Sequence, residues 1–194
     1  MTAIVQSIYY NQAPNTLRRE IAIMLHQVWP NDCPMPGATI PEAHDKELNA
    51  RSFYSSIDGK LVSYAGVVRK TIKHDGQIFN IAGLSCVATD PVYHGQGLSL
   101  CTVSAATQWI EKQENIDFGI FTCKPSLSSF YNRAGAWSVV QDVVLIGSRD
   151  DDALSSESLD VVVLMRLFSE KSKGYESILR NTTINLDLPV GQFL

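Results

Sequence analysis

The sequence predicts a mixed α/β (α+β) fold with a mostly antiparallel central sheet flanked by helices, and three features carry that prediction. Two Asp-Gly dipeptides, Asp58-Gly59 and Asp75-Gly76, separate runs rich in β-branched and aromatic residues, the strongest short-range hairpin signal. Two segments, 16–29 and 98–113, space their apolar residues on one face of a helix. Short apolar runs such as Phe118 to Cys123 have the character of buried strands.

Taken in order, IVQSIYY (residues 4–10) reads as a strand, followed by a turn at Ala13-Pro14-Asn15. From Thr16 to Trp29, Leu17, Ile21, Met24, Leu25 and Val28 form a helical stripe, which Pro30 stops. Residues 31–49 hold three prolines and read as a loop, with a short helix around Pro41 to Leu48. Ser52 to Ile57, Leu61 to Arg69 and Gln77 to Thr89 make an antiparallel meander around the two Asp-Gly turns. Leu98 to Gln113 is helical, with Leu98, Cys101, Ala105 and Trp109 as its predicted inner face. Phe118 to Cys123 is a strand. Pro125 to Ala134, with proline just inside its start and Gly135 just past its end, is a helix. Trp137 to Ile146 and Leu159 to Phe168 are two further strands, joined by the acidic, serine-rich SRDDDALSSES. Beyond Ser169 the pattern has no clear period. The predicted order is β-α-β-β-β-α-β-α-β-β, a single domain over 1–194 with its core at about 4–168 and a tail at 169–194.

A chain of 194 residues, 45% hydrophobic and 19% charged, can bury roughly 70% of its unfolded surface without staples. The first residues, MTAIVQSIYY, carry no basic, apolar leader pattern, and no apolar run approaches the ~20 residues that span a bilayer, so a cytoplasmic protein with no membrane partner is expected. Cys33, Cys86, Cys101 and Cys123 are scattered, with no C-x-x-C pair and no histidine at zinc-ligand spacing. They read as small buried hydrophobes, and no metal is expected. A formal net charge of −4 argues against nucleic acid as a partner, because phosphate-tracking proteins concentrate Lys and Arg.

The stretch CVATDPVYHGQGLSLCTVSAA, Cys86 to Ala106, runs from a strand through Pro91 and two glycines into a helix. A helix N-terminus presents unpaired N–H groups and a partial positive charge, and Gly95 and Gly97 let main chain wrap a phosphate closely. A dinucleotide fingerprint fails, since Leu100 stands at the third glycine position, which leaves Asp117, 20 residues beyond Gly97, without its pattern. A nucleoside triphosphate loop fails for want of G-K-[ST]. What remains, H-G-Q-G-L-S opening a helix, resembles the acyl-CoA-binding motif [Q/R]-x-x-G-x-[G/A] of the GNAT N-acetyltransferase superfamily. His94 stands where that family has Arg or Gln, Gly97 at the central glycine and Ser99 at the last small residue. SSFYNRAGAW resembles its second signature, Y-x-x-x-G-[F/W], at Tyr131 and Gly135, with Lys124 where many members have Asn. The predicted element order also matches, from about Ile4 to Phe168. The length and tail bear some resemblance to the aminoglycoside 2′-N-acetyltransferase and nodulation N-acyltransferase branch.

The resemblance implies an acyl-CoA N-acyltransferase fold and acetyl transfer from acetyl-CoA to a primary amine of a small molecule, aminoglycoside-like as first choice. It implies that an irregularity of the fourth strand frees the backbone of Cys86, Val87, Ala88 and Thr89 for the pantetheine arm and thioester. It also implies that His94, Gly95, Gln96, Gly97, Leu98 and Ser99 hold the diphosphate. Tyr131 is implied as the general acid. Ser85 stands at the catalytic position where the aminoglycoside enzymes carry a glutamate, and a serine cannot act as a base at neutral pH. Base candidates are His74, Asp75, Glu42, His44 and Asp45; His26 reads as structural, and Asp150 to Asp152 as a solvated loop or an amine-attracting one. Homodimerisation is common in the family. Peptide or longer-chain acyl transfer, and a silent CoA-binding module, stay open as alternatives.

Overall fold

The computed structural model describes residues 4–30 and 41–194; of the loop expected over 31–49, residues 31–40, Cys33 among them, lie outside these. Nine strands and four α-helices are described: β1 Gln6–Tyr9, α1 Asn15–Val28, β2 Arg51–Ile57, β3 Lys60–His74, β4 Gln77–Thr89, α2 Leu98–Glu111, β5 Phe118–Cys123, α3 Ser128–Gly135, β6 Ser138–Val140, β7 Val143–Ile146, β8 Val162–Leu167, α4 Glu170–Gly174 and β9 Thr182–Asn185. The seven-stranded sheet has the order β1-β2-β3-β4-β5-β8-β6, and β7 and β9 form a separate pair. The chain forms two compact units, Met1–Val68 with Cys86–Ala106, and Arg69–Ser85 with Thr107–Leu194. No helix among the described residues is long and apolar enough to cross a membrane.

In the first unit, β1 and β2 pair antiparallel from Gln6↔Tyr54 to Tyr9↔Arg51, and β2 and β3 pair antiparallel with a bulge between Ser55 and Ser56. Asp58 (φ +50°) and Gly59 (φ +78°) are both left-handed, the conformation a two-residue hairpin needs to match strand twist. Tyr64, Ala65, Val62, Val67 and Ile21 are essentially fully buried here.

In the second unit, Asp75 (φ +44°) and Gly76 (φ +75°) make the other hairpin turn. β4 and β5 run parallel but pair only at Ile81↔Phe118 and Ala82↔Gly119, while β8 pairs antiparallel with β5 over all six of its residues. The core holds Phe79, Phe118, Phe121, Ile120, Trp137 and Leu164, each no more than 1% exposed.

Three expectations are corrected. The predicted strand 137–146 is two strands, because Asp142 turns left-handed (φ +60°) and sends β7 away to pair in parallel with β9. That partner, β9, lies in the tail, where the sequence shows no clear period. Of the predicted inner face of α2 Leu98 is buried, but Ala105 and Trp109 are half-buried and Cys101 is exposed, and Thr102, Val103, Ala106, Thr107 and Ile110 complete the buried face. The threonines can be buried because Thr102 Oγ1 donates to Leu98 O (3.0 Å) and Thr107 Oγ1 accepts from Trp137 Nε1 (2.9 Å). Of the described cysteines only Cys123 is buried, so the reading of all as buried hydrophobes does not hold.

Candidate acyl donor site

In the first unit, β4 ends in Cys86, Val87, Ala88 and Thr89. Cys86 is left-handed (φ +54°) in the middle of a strand, a conformation that costs a non-glycine residue roughly 1–3 kcal/mol and persists only where its surroundings impose it. Its Sγ lies 3.5 Å from Ala43 O. Thr89, 8% exposed, shares a hydrogen bond with Ser63 (Oγ1···Oγ 3.1 Å), and the neighbouring β2 residue Ser55 is buried with its hydroxyl unpartnered among the described residues.

After Thr89 the loop is tied down at both ends. Asp90 N donates to Val62 O (3.0 Å), and its buried carboxylate caps the following turn by accepting from Val92 N (3.0 Å). Lys60 Nζ reaches the other oxygen at 2.6 Å and lies 5.8 Å over the Tyr93 ring. The ion pair, then the Val92 N–H, hold the Asp90 carboxyl below its ordinary range, and the same pair holds Lys60 above its own. The His94 ring is turned back onto the loop, Nε2 lying 3.0 Å from Thr89 O. The side chain at position 94 therefore closes the loop on itself. Gly95 (φ +77°) and Gly97 (φ +78°) then turn the exposed main chain into α2, and nothing lies within 4 Å of where either Cβ would stand. Leu98 is buried and Ser99 half-buried at the first turn of α2, where backbone N–H groups have no intrahelical acceptor. Two left-handed glycines ahead of a helix N-terminus form a concave main-chain surface suited to an anion.

A buried polar cluster that the sequence does not reveal lies in the same unit. His44, 2% exposed, has Nε2 2.8 Å from the hydroxyl of fully buried Tyr64, which also meets Ser52 Oγ at 3.1 Å. Burial lowers the His44 imidazole to about 4 and raises the Tyr64 phenol well above its usual value. Tyr10, 1% exposed, packs edge-on against His44 at 5.2 Å; its hydroxyl donates to Glu42 Oε2 and accepts from Ala43 N (3.0 Å).

Further candidates lie in the second unit. Tyr131 on α3 is 6% exposed, edge-on to Phe121 and Phe130 at 5.0 Å each. Burial, then the nearby Cys123, raise its phenol well above the usual range. Gly135 is the last residue of α3, which the left-handed Ala136 (φ +53°) caps, and a Cβ at Gly135 would stand 2.6 Å from Thr107 and 2.8 Å from Trp137. Ser85 is half-buried on β4. Lys124 precedes the turn Pro125–Leu127. His74 Nε2 lies 2.9 Å from Ile178 O and 3.3 Å from Thr182 Oγ1, a tie to the tail. Asp150 accepts from Ser148 Oγ at 2.8 Å, and Asp151 and Asp152 are exposed.

No family model and no curated protein matches the sequence. Solved structures do match the fold. Escherichia coli ElaA is 12% identical with a TM-score of 0.58, covering 85% of this chain and 99% of that one. An acyl-CoA N-acyltransferase from Pseudomonas aeruginosa is 13% identical at 0.58, with the same two shares. A GNAT-family acetyltransferase from Streptococcus pneumoniae is 11% identical at 0.55, covering 84% and 99%.

Proposed function

We propose, for a chain with the GNAT acyl-CoA N-acyltransferase fold, that it transfers an acetyl group from acetyl-CoA to a primary amine of a small molecule. One observation carries this reading: in that fold, a strand interrupted by left-handed Cys86 leads through Gly95 and Gly97 into the N-terminus of α2. The main chain of Tyr93 to Ser99 would hold the diphosphate, and the backbone of Cys86 to Thr89 the pantetheine and the thioester oxygen, where a fixed N–H stabilises the oxyanion as it forms. The contribution of His94 to this grip is through its backbone, since its ring is engaged with Thr89 O.

When the amine attacks, the leaving thiolate needs a proton. Tyr131 is the proposed donor, and its buried phenol keeps that proton throughout the physiological range. Ser85 offers a hydroxyl, not a base. The whole of 1–194 is read as one catalytic module, acting in the cytoplasm; an aminoglycoside-like amine remains the first substrate to try.

The test is acetyl-CoA with a panel of polyamines, aminoglycosides and lysyl peptides, following release of free CoA thiol. Amine-dependent release from the small molecules supports the reading. Release only with peptides moves the acceptor class, and CoA binding without release points to a silent module. Tyr131→Phe should lower turnover roughly 100-fold and leave the acetyl-CoA-induced rise in melting temperature intact.

A further inference from the structure

The proposed reaction has no assigned base, and the structure separates the candidates. Asp45 caps its own turn by accepting from Glu47 N (2.8 Å). Asp75 is a left-handed hairpin residue, and His74 is bound to Ile178 and Thr182. His44 is buried and shares its Nε2 with Tyr64, out of reach of any solute. Glu42 differs from all four, because its side chain is half exposed while one carboxylate oxygen is fixed from below by a buried phenol.

That phenol, Tyr10, is fully used: it donates to Glu42 Oε2 and accepts from Ala43 N. Burial and the adjacent carboxylate push the pKa of its phenol well above the usual value, so the proton stays on the tyrosine and Oε2 stays an acceptor. The second oxygen, Oε1, is ion-paired with Arg18, whose Nε lies 4.0 Å away, beyond hydrogen-bond reach, while its Nη2 donates to Asn15 Oδ1. Among the described residues no hydrogen bond occupies Oε1, which leaves it for an incoming N–H. The next residue, Ala43, directs its carbonyl to Cys86 Sγ at 3.5 Å, which ties this carboxylate-bearing segment to the strand position proposed for the thioester. His44 anchors the far side of the same three-residue strap on Tyr64.

We propose that Glu42 is the catalytic base of the acyl transfer and Tyr10 its positioning residue. This rests on the reading of Cys86 to Thr89 as the thioester position. The neutral amine nitrogen bonds to the acyl carbon to give the oxyanion held by the strand N–H, and collapse of that oxyanion breaks the carbon–sulfur bond. The proton from nitrogen goes to Glu42 Oε1 and then to solvent, and the leaving thiolate takes its proton from the Tyr131 phenol, which solvent restores. The substrate class follows: a primary alkylamine, whose ammonium form the same carboxylate also attracts.

The experiment compares wild type, Glu42→Gln, Glu42→Asp and Tyr10→Phe in steady-state acetyl transfer to spermidine and kanamycin, with acetyl-CoA-induced melting shifts in parallel. Gln can still accept from Tyr10, so the strap survives the change. The expected result is a fall in kcat of about 100-fold or more for Glu42→Gln, partial recovery with Asp, a smaller kcat loss for Tyr10→Phe, and an unchanged KM and melting shift for acetyl-CoA. Wild-type kcat in Glu42→Gln overturns the Glu42 assignment alone, as does loss of turnover together with the acetyl-CoA shift, which would make its role structural. A wild-type protein that shifts with acetyl-CoA but acetylates no amine overturns the proposed function, and the base with it.

Discussion

His44 makes the folded protein sensitive to mild acid. Its imidazole is buried among Tyr10 and Tyr64, and burial lowers it from 6.5 to about 4. Since the unfolded chain binds that proton near 6.5 and the folded chain only near 4, the unfolded state holds more protons in that window. Stability therefore rises with pH across it, is complete above about 6.5, and is lost as pH falls toward 4. A gap of about 2.5 pH units at about 1.4 kcal/mol each amounts to roughly 3–4 kcal/mol, of which about 3 is lost by pH 4, a large share of the ~5–15 kcal/mol that holds a domain folded. Urea titrations of wild type and His44→Gln at half-unit steps from pH 4 to 7 isolate the effect, because carboxylates elsewhere titrate alike in both. The stability difference between the two should shrink by up to about 3 kcal/mol on acidification. A difference that stays constant with pH would show that His44 titrates normally, and would refute the buried, neutral imidazole.

Other substitutions test other parts of the structure. Gly135→Ala places a methyl 2.6 Å from Thr107 and 2.8 Å from Trp137 Nε1, whose hydrogen bond it disturbs. The cost should be about 1–3 kcal/mol, or roughly 3–10 °C in melting temperature by calorimetry. Gly97→Val meets no neighbouring atom but imposes a side chain on φ +78°. It should lower stability by about 1–2 kcal/mol and weaken acetyl-CoA binding by isothermal titration more than Val92→Ala, an exposed change in the same loop. Lys60→Met removes the cation on Asp90 while the Val92 cap remains, so amide protection at Val92, Tyr93 and His94 should decrease without loss of the fold.

Much of the architecture was legible because local signals and tertiary outcome agree. Both Asp-Gly pairs adopt the positive φ values that their hairpins need, and Phe118 to Cys123 forms a strand with the predicted ends. Where the reading failed, polar or long-range partners decided. Thr102 and Thr107 look like surface residues until their hydroxyls are matched to Leu98 O and Trp137 Nε1. β9 is four residues with little apolar character, and pairs in parallel with a strand some 40 residues earlier, which no local pattern encodes. At the candidate site, the two glycines announce their turn, whereas the left-handed Cys86 is set by its surroundings and its composition gives no warning. The cluster of Tyr10, Glu42, His44 and Tyr64 joins three segments far apart in sequence, so its burial and hydrogen bonds appear only in the fold.

The central claim is that the loop from Cys86 to Ser99 binds the acyl donor. Calorimetric melting with acetyl-CoA at millimolar concentration, beside wild type alone and Gly97→Val, tests it most directly. A ligand at about 100 times its Kd adds about 2.7 kcal/mol, so the account predicts a rise of roughly 5–10 °C for wild type and a smaller one for the variant. Equal melting with and without acetyl-CoA would contradict it.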